Sequence, residues 1–327
     1  MISRGGNCQH IKPLHDSFVL SDWLGFITKQ NKIRMGDESR ANSLMSEGES
    51  CLRRSSIWSF VDPSKRFEDA KDRFQKAANI YKMLKVWESA AKAYERVGDM
   101  ADQLDASHES IVARTDAAEM YARYDKRRAT QLYKNIATKN CETGRFQRAA
   151  QLLDSAGVLL EEDGDSCGAV ECYAKAADYY FSDRANSNGN KSLEKVGFLS
   201  ADLGNYGDAA KIFEQLGYSS LELTTLKFGA KKHFLHAGFC FLAKGDVIAA
   251  QVGLGRYLAA DPTFKDSREH KLYAEMISCY ENLDVEYFTR TLTEYDRIMS
   301  LDPWETSVLL KIKKEIEDAS SAAPDLR

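Results

Sequence analysis

Between Pro63 and Pro262 the chain repeats one pattern: a large residue, two alanines three and four positions on, a second large residue at seven and often a small one at eleven. Trp87, Ala90, Ala91, Tyr94 and Gly98 form one copy; Phe146, Ala149, Ala150, Leu153 and Gly157 a second; Tyr206, Ala209, Ala210, Phe213 and Gly217 a third. Shorter copies, Ala117, Ala118, Tyr121 and Tyr173, Ala176, Ala177, Tyr180, fall between them. These positions share one face of a 3.6-residue helix, so each copy predicts an amphipathic helix of about 15 residues. Paired alanines let helices approach closely while the flanking aromatics fill the gaps, which suits stacked antiparallel pairs.

Turn signals separate the stripes at Glu142–Arg145, Glu162–Asp165, Ser187–Asn190, Leu203–Asn205 and Lys244–Asp246. The pattern predicts an all-α chain: a tetratricopeptide-like right-handed α-solenoid of antiparallel helix pairs over 35–220. Its spacing is uneven and the Trp-Leu-Gly-Tyr consensus is absent. From about Leu221 the stripe blurs into longer apolar helices such as 226–243, which predicts a C-terminal helical bundle to 318, then a flexible tail over 319–327.

Composition supports helix, since the 327 residues hold 5 prolines where average usage predicts about 16. A net charge of −4, from 45 basic and 49 acidic residues, gives no general attraction to nucleic acid. No apolar run approaches the roughly 20 residues of a membrane span. The 7 cysteines are odd in number, scattered and without a C-x-x-C pair, which fits a reduced, intracellular chain rather than a disulfide framework. Residues 1–34 lack the alanine stripe, do not have the form of a secretory signal, and read as a poorly ordered extension or an upstream reading of the gene.

Candidate chemistry is sparse. Ser187–Ser192 contains Gly189, Lys191 and Ser192 but misses the spacing of a phosphate loop, and no strand precedes it. Gly253 and Gly255 lack the third glycine of a dinucleotide site and read as close helix packing. His233, His236 and Cys240 share a helix face and are possible zinc ligands, but the surrounding Phe234, Phe239, Phe241 and Leu242 make this a packing helix without a fourth ligand. Nothing marks an enzyme, and no metal or cofactor is expected. Ile57, Trp58, Phe60 and Val61 form an apolar loop ended by Pro63; it reads either as a buried loop or as one that dips into a bilayer interface.

Many short colinear stretches carry a resemblance: Lys76–Met83 to Trp87, Thr143–Phe146 with Ala149 and Ala150, Ala176–Tyr180, Asn186 and Ser187 with Asn190 and Lys191, Ile212–Gln215, Asp266–Leu272, Leu301–Trp304 and Leu309–Lys314, before a chain end of Asp325, Leu326 and Arg327. From about Ala41 to Arg327 the chain resembles the soluble NSF attachment proteins of the alpha/beta type. The resemblance implies a non-catalytic adaptor that binds the four-helix SNARE bundle, of syntaxin-type and other SNAREs. It further implies recruitment of the hexameric ATPase NSF and stimulation of SNARE disassembly in vesicle-mediated traffic, ER-to-Golgi steps included. The implied location is cytoplasmic, peripherally associated with membrane.

By the same resemblance Lys85, Arg123, Arg145, Lys191, Lys195, Lys231 and Arg268 would face the acidic SNARE surface. A family lysine falls at Gln151, where Arg148 one turn earlier is the partial substitute. Asp246, Glu281, Asp325 and Leu326 would meet NSF, although Ala319–Pro324 lacks the acid that precedes the leucine in the family. Ile57, Trp58, Phe60 and Val61 match the family's membrane loop. From the residues alone, each basic group is equally a solvated helix face, and a scaffold for a different protein partner is the alternative.

Overall fold

The computed structural model describes residues 16–53, 63–222 and 229–322, and the side chains of 34–53, 64–222 and 229–321. These form fourteen α-helices and a short 3-10 turn, with no strand among the described residues. The chain divides into two compact units, residues 1–132 and 133–327. The first holds α1 (Asp16–Arg53), α2 (Pro63–Leu84), α3 (Trp87–Gln103) and α4 (Ser107–Tyr121); α5 (Lys126–Glu142) carries the chain across the division. The second holds α6 (Phe146–Asp163), α7 (Ser166–Ser182), α8 (Asn186–Asp202), α9 (Tyr206–Glu222), α10 (Ala230–Ala243) and α11 (Val247–Ala260). After the 3-10 turn Pro262–Phe264 come α12 (Arg268–Asn282), α13 (Val285–Asp296) and α14 (Pro303–Ala322).

The alanine stripe is the packing seam. Ala90, Ala91, Ala117, Ala118, Ala149, Ala150, Ala176, Ala177, Ala209 and Ala210 are all buried, and consecutive helices within each unit lie side by side. The small residue at position eleven is a notch for the next helix: a methyl on Gly157 would lie 2.7 Å from Tyr173 Cζ, and one on Gly217 only 2.4 Å from Phe234 Cε1. Aromatic residues therefore seat where a side chain would hold the helices apart. Tyrosine hydroxyls from the stripes also reach acceptors on an earlier helix. Tyr94 donates to Asn79 Oδ1 (3.0 Å), Tyr121 to Glu95 Oε2 (2.9 Å) and Tyr180 to Asp154 Oδ2 (2.9 Å).

Four of the five expected turns form where glycine marks them, with Gly144, Gly164, Gly204 and Gly245 at φ between +71° and +81°. That left-handed conformation costs glycine nothing and strains other residues. The fifth is corrected. Ser187–Asn190 lies in the first turns of α8, and the chain reverses earlier, at Arg184 with φ +58°. Gly189 serves as a packing notch within the helix, where a Cβ would stand 2.6 Å from the Phe181 ring.

Two boundaries also differ from the sequence reading. Helix α1 begins at Asp16, inside the stretch read as an extension; between Pro13 and Pro63 no proline interrupts a helix. The bundle expected from residue 221 has no separate core, since Phe213 and Leu216 of α9 share one apolar cluster with Phe234 of α10, Tyr273 of α12 and Ile312 of α14.

Candidate partner-binding face

Helix α8 presents Lys191, Lys195, Phe198 and Asp202 at helical spacing on one side. Both lysines are exposed. Lys195 Nζ lies 3.3 Å from Glu161 Oε2 of α6, while Lys191 has no ion pair among the described residues. One turn into α6, Arg148 Nη1 is 3.4 Å from Gln151 Oε1, so the glutamine accepts a bond where the resemblance leads one to expect a cation. Arg145, just before α6, is exposed. Arg145, Arg148, Lys191 and Lys195 thus belong to the α6 and α8 part of the second unit.

The other predicted basic residues are dispersed. Lys85 is exposed between α2 and α3 at φ +59°, and Arg123 is exposed after α4; both lie in the first unit. Lys231 donates to the Thr263 carbonyl (3.1 Å), and Arg268 opens α12. Of the residues expected to meet NSF, Asp246 caps α11 by accepting from Ala249 N–H (3.0 Å). Glu281 of α12 accepts from Gln251 of α11. Asp246 therefore has a structural role that composition did not suggest. Asp325 and Leu326 lie outside the described residues, as do Ile57, Trp58, Phe60 and Val61.

Between α6, α7, α8 and the first turn of α14 lies a cavity of about 530 Å³. Val158, Phe198, Leu199 and Trp304 give it apolar walls, and Tyr173 forms part of its lining. Trp304 is held by Phe198 and Phe213 at 4.8 and 5.5 Å between ring centres. Asp154 receives hydrogen bonds from Tyr180 and Ser192 (2.9 and 2.8 Å); burial still pushes its carboxyl up, against the pull of those two donors. Sequence reasoning missed this cavity. Trp304 was visible beside Pro303, but nothing local indicates that it meets Phe198.

The zinc reading of His233, His236 and Cys240 does not describe the geometry. Burial raises the Cys240 thiol well above its usual range, and His236 Nε2 faces Glu305 Oε1 at 2.9 Å. His236, Asp302 and Glu305 do bring three possible ligand atoms within 4.8 Å of one another. Lys232 Nζ already supplies a cation there, 3.3 Å from Asp302 and 3.4 Å from Glu305.

A family profile described as "Soluble NSF attachment protein, SNAP" matches residues 39–317. The chain belongs to the soluble NSF attachment protein family. It is 34% identical over 261 residues to an alpha-soluble NSF attachment protein of Vitis vinifera, covering 80% of this chain and 90% of that one. It is 32% identical over 295 residues to a beta-soluble NSF attachment protein of Bos taurus, covering 89% and 99%. A probable vesicular-fusion protein sec17 homolog of Schizosaccharomyces pombe is 31% identical over 255 residues, 78% of this chain and 88% of that one. The profile match spans both units and includes α6 and α8. No helix among the described residues is long and apolar enough to cross a membrane.

Proposed function

We propose that this protein binds the four-helix SNARE bundle left after membrane fusion, recruits the ATPase NSF to it and stimulates its disassembly. The observation that carries the reading is the family match over residues 39–317, supported by the exposed Arg145, Arg148, Lys191 and Lys195 of the second unit. Separate surface charges each contribute about 0–1 kcal/mol, so recognition comes from their sum and from faster encounter. The protein acts as an adaptor, while the ATPase performs the chemistry. Asp325 and Leu326 act on NSF, with Asp246 and Glu281 beside α11. Ile57, Trp58, Phe60 and Val61 hold the protein peripherally at the bilayer.

The test is NSF ATPase rate with purified SNARE bundle, with and without this protein. Stimulation that requires the bundle, accompanied by bundle disassembly, is the expected result. Absence of both, with the protein folded, overturns the reading in favour of a tetratricopeptide-like scaffold for another partner. Within a positive result, Leu326→Ala is expected to keep bundle binding and lose stimulation. Replacing Trp58 and Phe60 with serine is expected to reduce liposome association and leave binding to soluble bundles unchanged.

A further inference from the structure

The cavity beside α8 has the wrong charge for a purely basic binding face. Asp154, Glu161, Glu194 and Asp202 line it against Lys191 and Lys195. Lys195 is already committed to Glu161. Asp154 is met only by neutral hydroxyls, and neither Glu194 nor Asp202 has an ion pair among the described residues. More negative than positive charge therefore stays uncompensated around a pocket whose walls are mainly apolar. Its volume, about 530 Å³, falls in the range of sites that hold a ligand, about 300–1,000 Å³.

A second observation points the same way. Tyr173 is 3% exposed, lines the cavity, and its hydroxyl makes no hydrogen bond of normal geometry, although the Glu161 carboxylate lies near it. A buried hydroxyl without a well-formed bond costs free energy, which a ligand group in the cavity would offset. Phe198 and Trp304, packed edge to face with ring centres 4.8 Å apart, give the cavity an aromatic wall.

We infer that this cavity is a socket for an arginine side chain projecting from the SNARE bundle. The aliphatic stem lies against Val158 and Leu199, and the guanidinium meets Asp202, Glu194 and the Tyr173 hydroxyl. Lys191 at the mouth faces acidic neighbours of that arginine. A basic residue set within an otherwise acidic surface would fix the register of the protein along the bundle, which exposed charges alone do so poorly. The inference rests on the proposed function for the identity of the partner, but not for the chemistry of the socket.

Two measurements test it. In the first, acetyl-arginine amide and acetyl-glutamate amide are titrated separately into the full chain while the Trp304 indole N–H resonance, assigned with Trp304→Phe, is followed. A saturable shift with the arginine probe alone is expected, lost in Val158→Phe, which fills the cavity from an exposed position. No shift, or equal shifts with both probes, overturns the socket. In the second, affinity for purified SNARE bundle is measured for the wild type and for Glu194→Gln with Asp202→Asn. A loss of about tenfold is expected for the double variant, and unchanged affinity overturns the assignment to the bundle. If the wild type does not bind the bundle at all, the proposed function fails and the arginine titration still decides the socket.

Discussion

His236 Nε2 lies 2.9 Å from Glu305 Oε1, a buried contact between residues 69 apart in sequence. It ties α10 to the start of α14. Glu305 also closes a reciprocal cap, its Oε2 accepting from Asp302 N–H (2.9 Å) while Asp302 Oδ1 accepts from Glu305 N–H (2.8 Å). One carboxylate thus ends a helix and joins two helices.

Glu305→Ala leaves His236 buried without that partner and removes half the cap. Leaving a buried polar group without its partner costs about 1–3 kcal/mol, so the urea midpoint is expected to fall below that of the wild type. Glu305→Gln, which keeps the reach of the side chain, is expected to lose less. A midpoint unchanged in Glu305→Ala would contradict the arrangement.

Acid sensitivity has a specific source in α10. Burial, with His236 and Lys232 nearby, lowers His233 to about 4 from 6.5. Over that window the unfolded state binds more protons, so stability rises with pH from about 4 toward 6.5 and falls in the reverse direction. His233→Leu is expected to flatten the slope of Tm against pH between these values. Glu305 adds a lower limb: burial raises its carboxyl, but the hydrogen bonds from His236 and the Asp302 backbone outweigh this and hold it at about 2. Its contribution is present above 4.5 and lost as pH falls toward 2. A slope unaltered by His233→Leu would place the acid sensitivity elsewhere.

Two helical glycines are expected to respond with opposite sign. A methyl on Gly238 would stand 2.4 Å from the Tyr273 ring, whereas one on Gly255 meets nothing within 4 Å. Gly255→Ala gains helix propensity and is expected to stabilise by up to about 1 kcal/mol. Gly238→Ala gains the same propensity but forces apart α10 and α12, and overpacking of this kind costs about 1–3 kcal/mol. Paired thermal melts read the difference, and stabilisation by both would refute the notch.

Asp154 joins three helices through Tyr180 of α7 and Ser192 of α8. Tyr180→Phe removes one donor and leaves the carboxylate a second, for an expected cost of about 0.5–1.5 kcal/mol. Asp154→Ala removes both bonds and strands the Tyr180 hydroxyl, Ser192 keeping the Asn188 carbonyl, and should cost more. Equal losses in denaturant titrations would mean that the shared acceptor does not bind the three helices together.

Lys191 and Lys195 differ although four residues apart on one face. Lys195 is paired with Glu161, and Lys191 has no ion pair among the described residues. Lys191→Ala is therefore expected to weaken SNARE-bundle binding at low salt more than Lys195→Ala does, with the gap narrowing as salt screens the charges. Equal effects at all salt concentrations would deny the distinction.

The periodic sequence by itself determined that the chain is helical, where most helices begin and end, and which alanines and aromatics face inward. These are local properties: a 3.6-residue repeat, glycines that accept a left-handed turn, and a long stretch without proline. The Asp302 to Glu305 cap was also within reach of sequence, because its partners are three residues apart. Local pattern misplaced the turn at Ser187–Asn190, since Gly189 there is a notch for the Phe181 ring of the preceding helix and not a turn residue. Only the tertiary structure decided that Trp304 reaches Phe198, that Tyr173 keeps its hydroxyl at a cavity wall, and that Lys195 is spent on Glu161. Each depends on which helix faces which, a matter settled by notches and volumes distributed over distant segments, whereas the repeat specifies only the face that each helix buries.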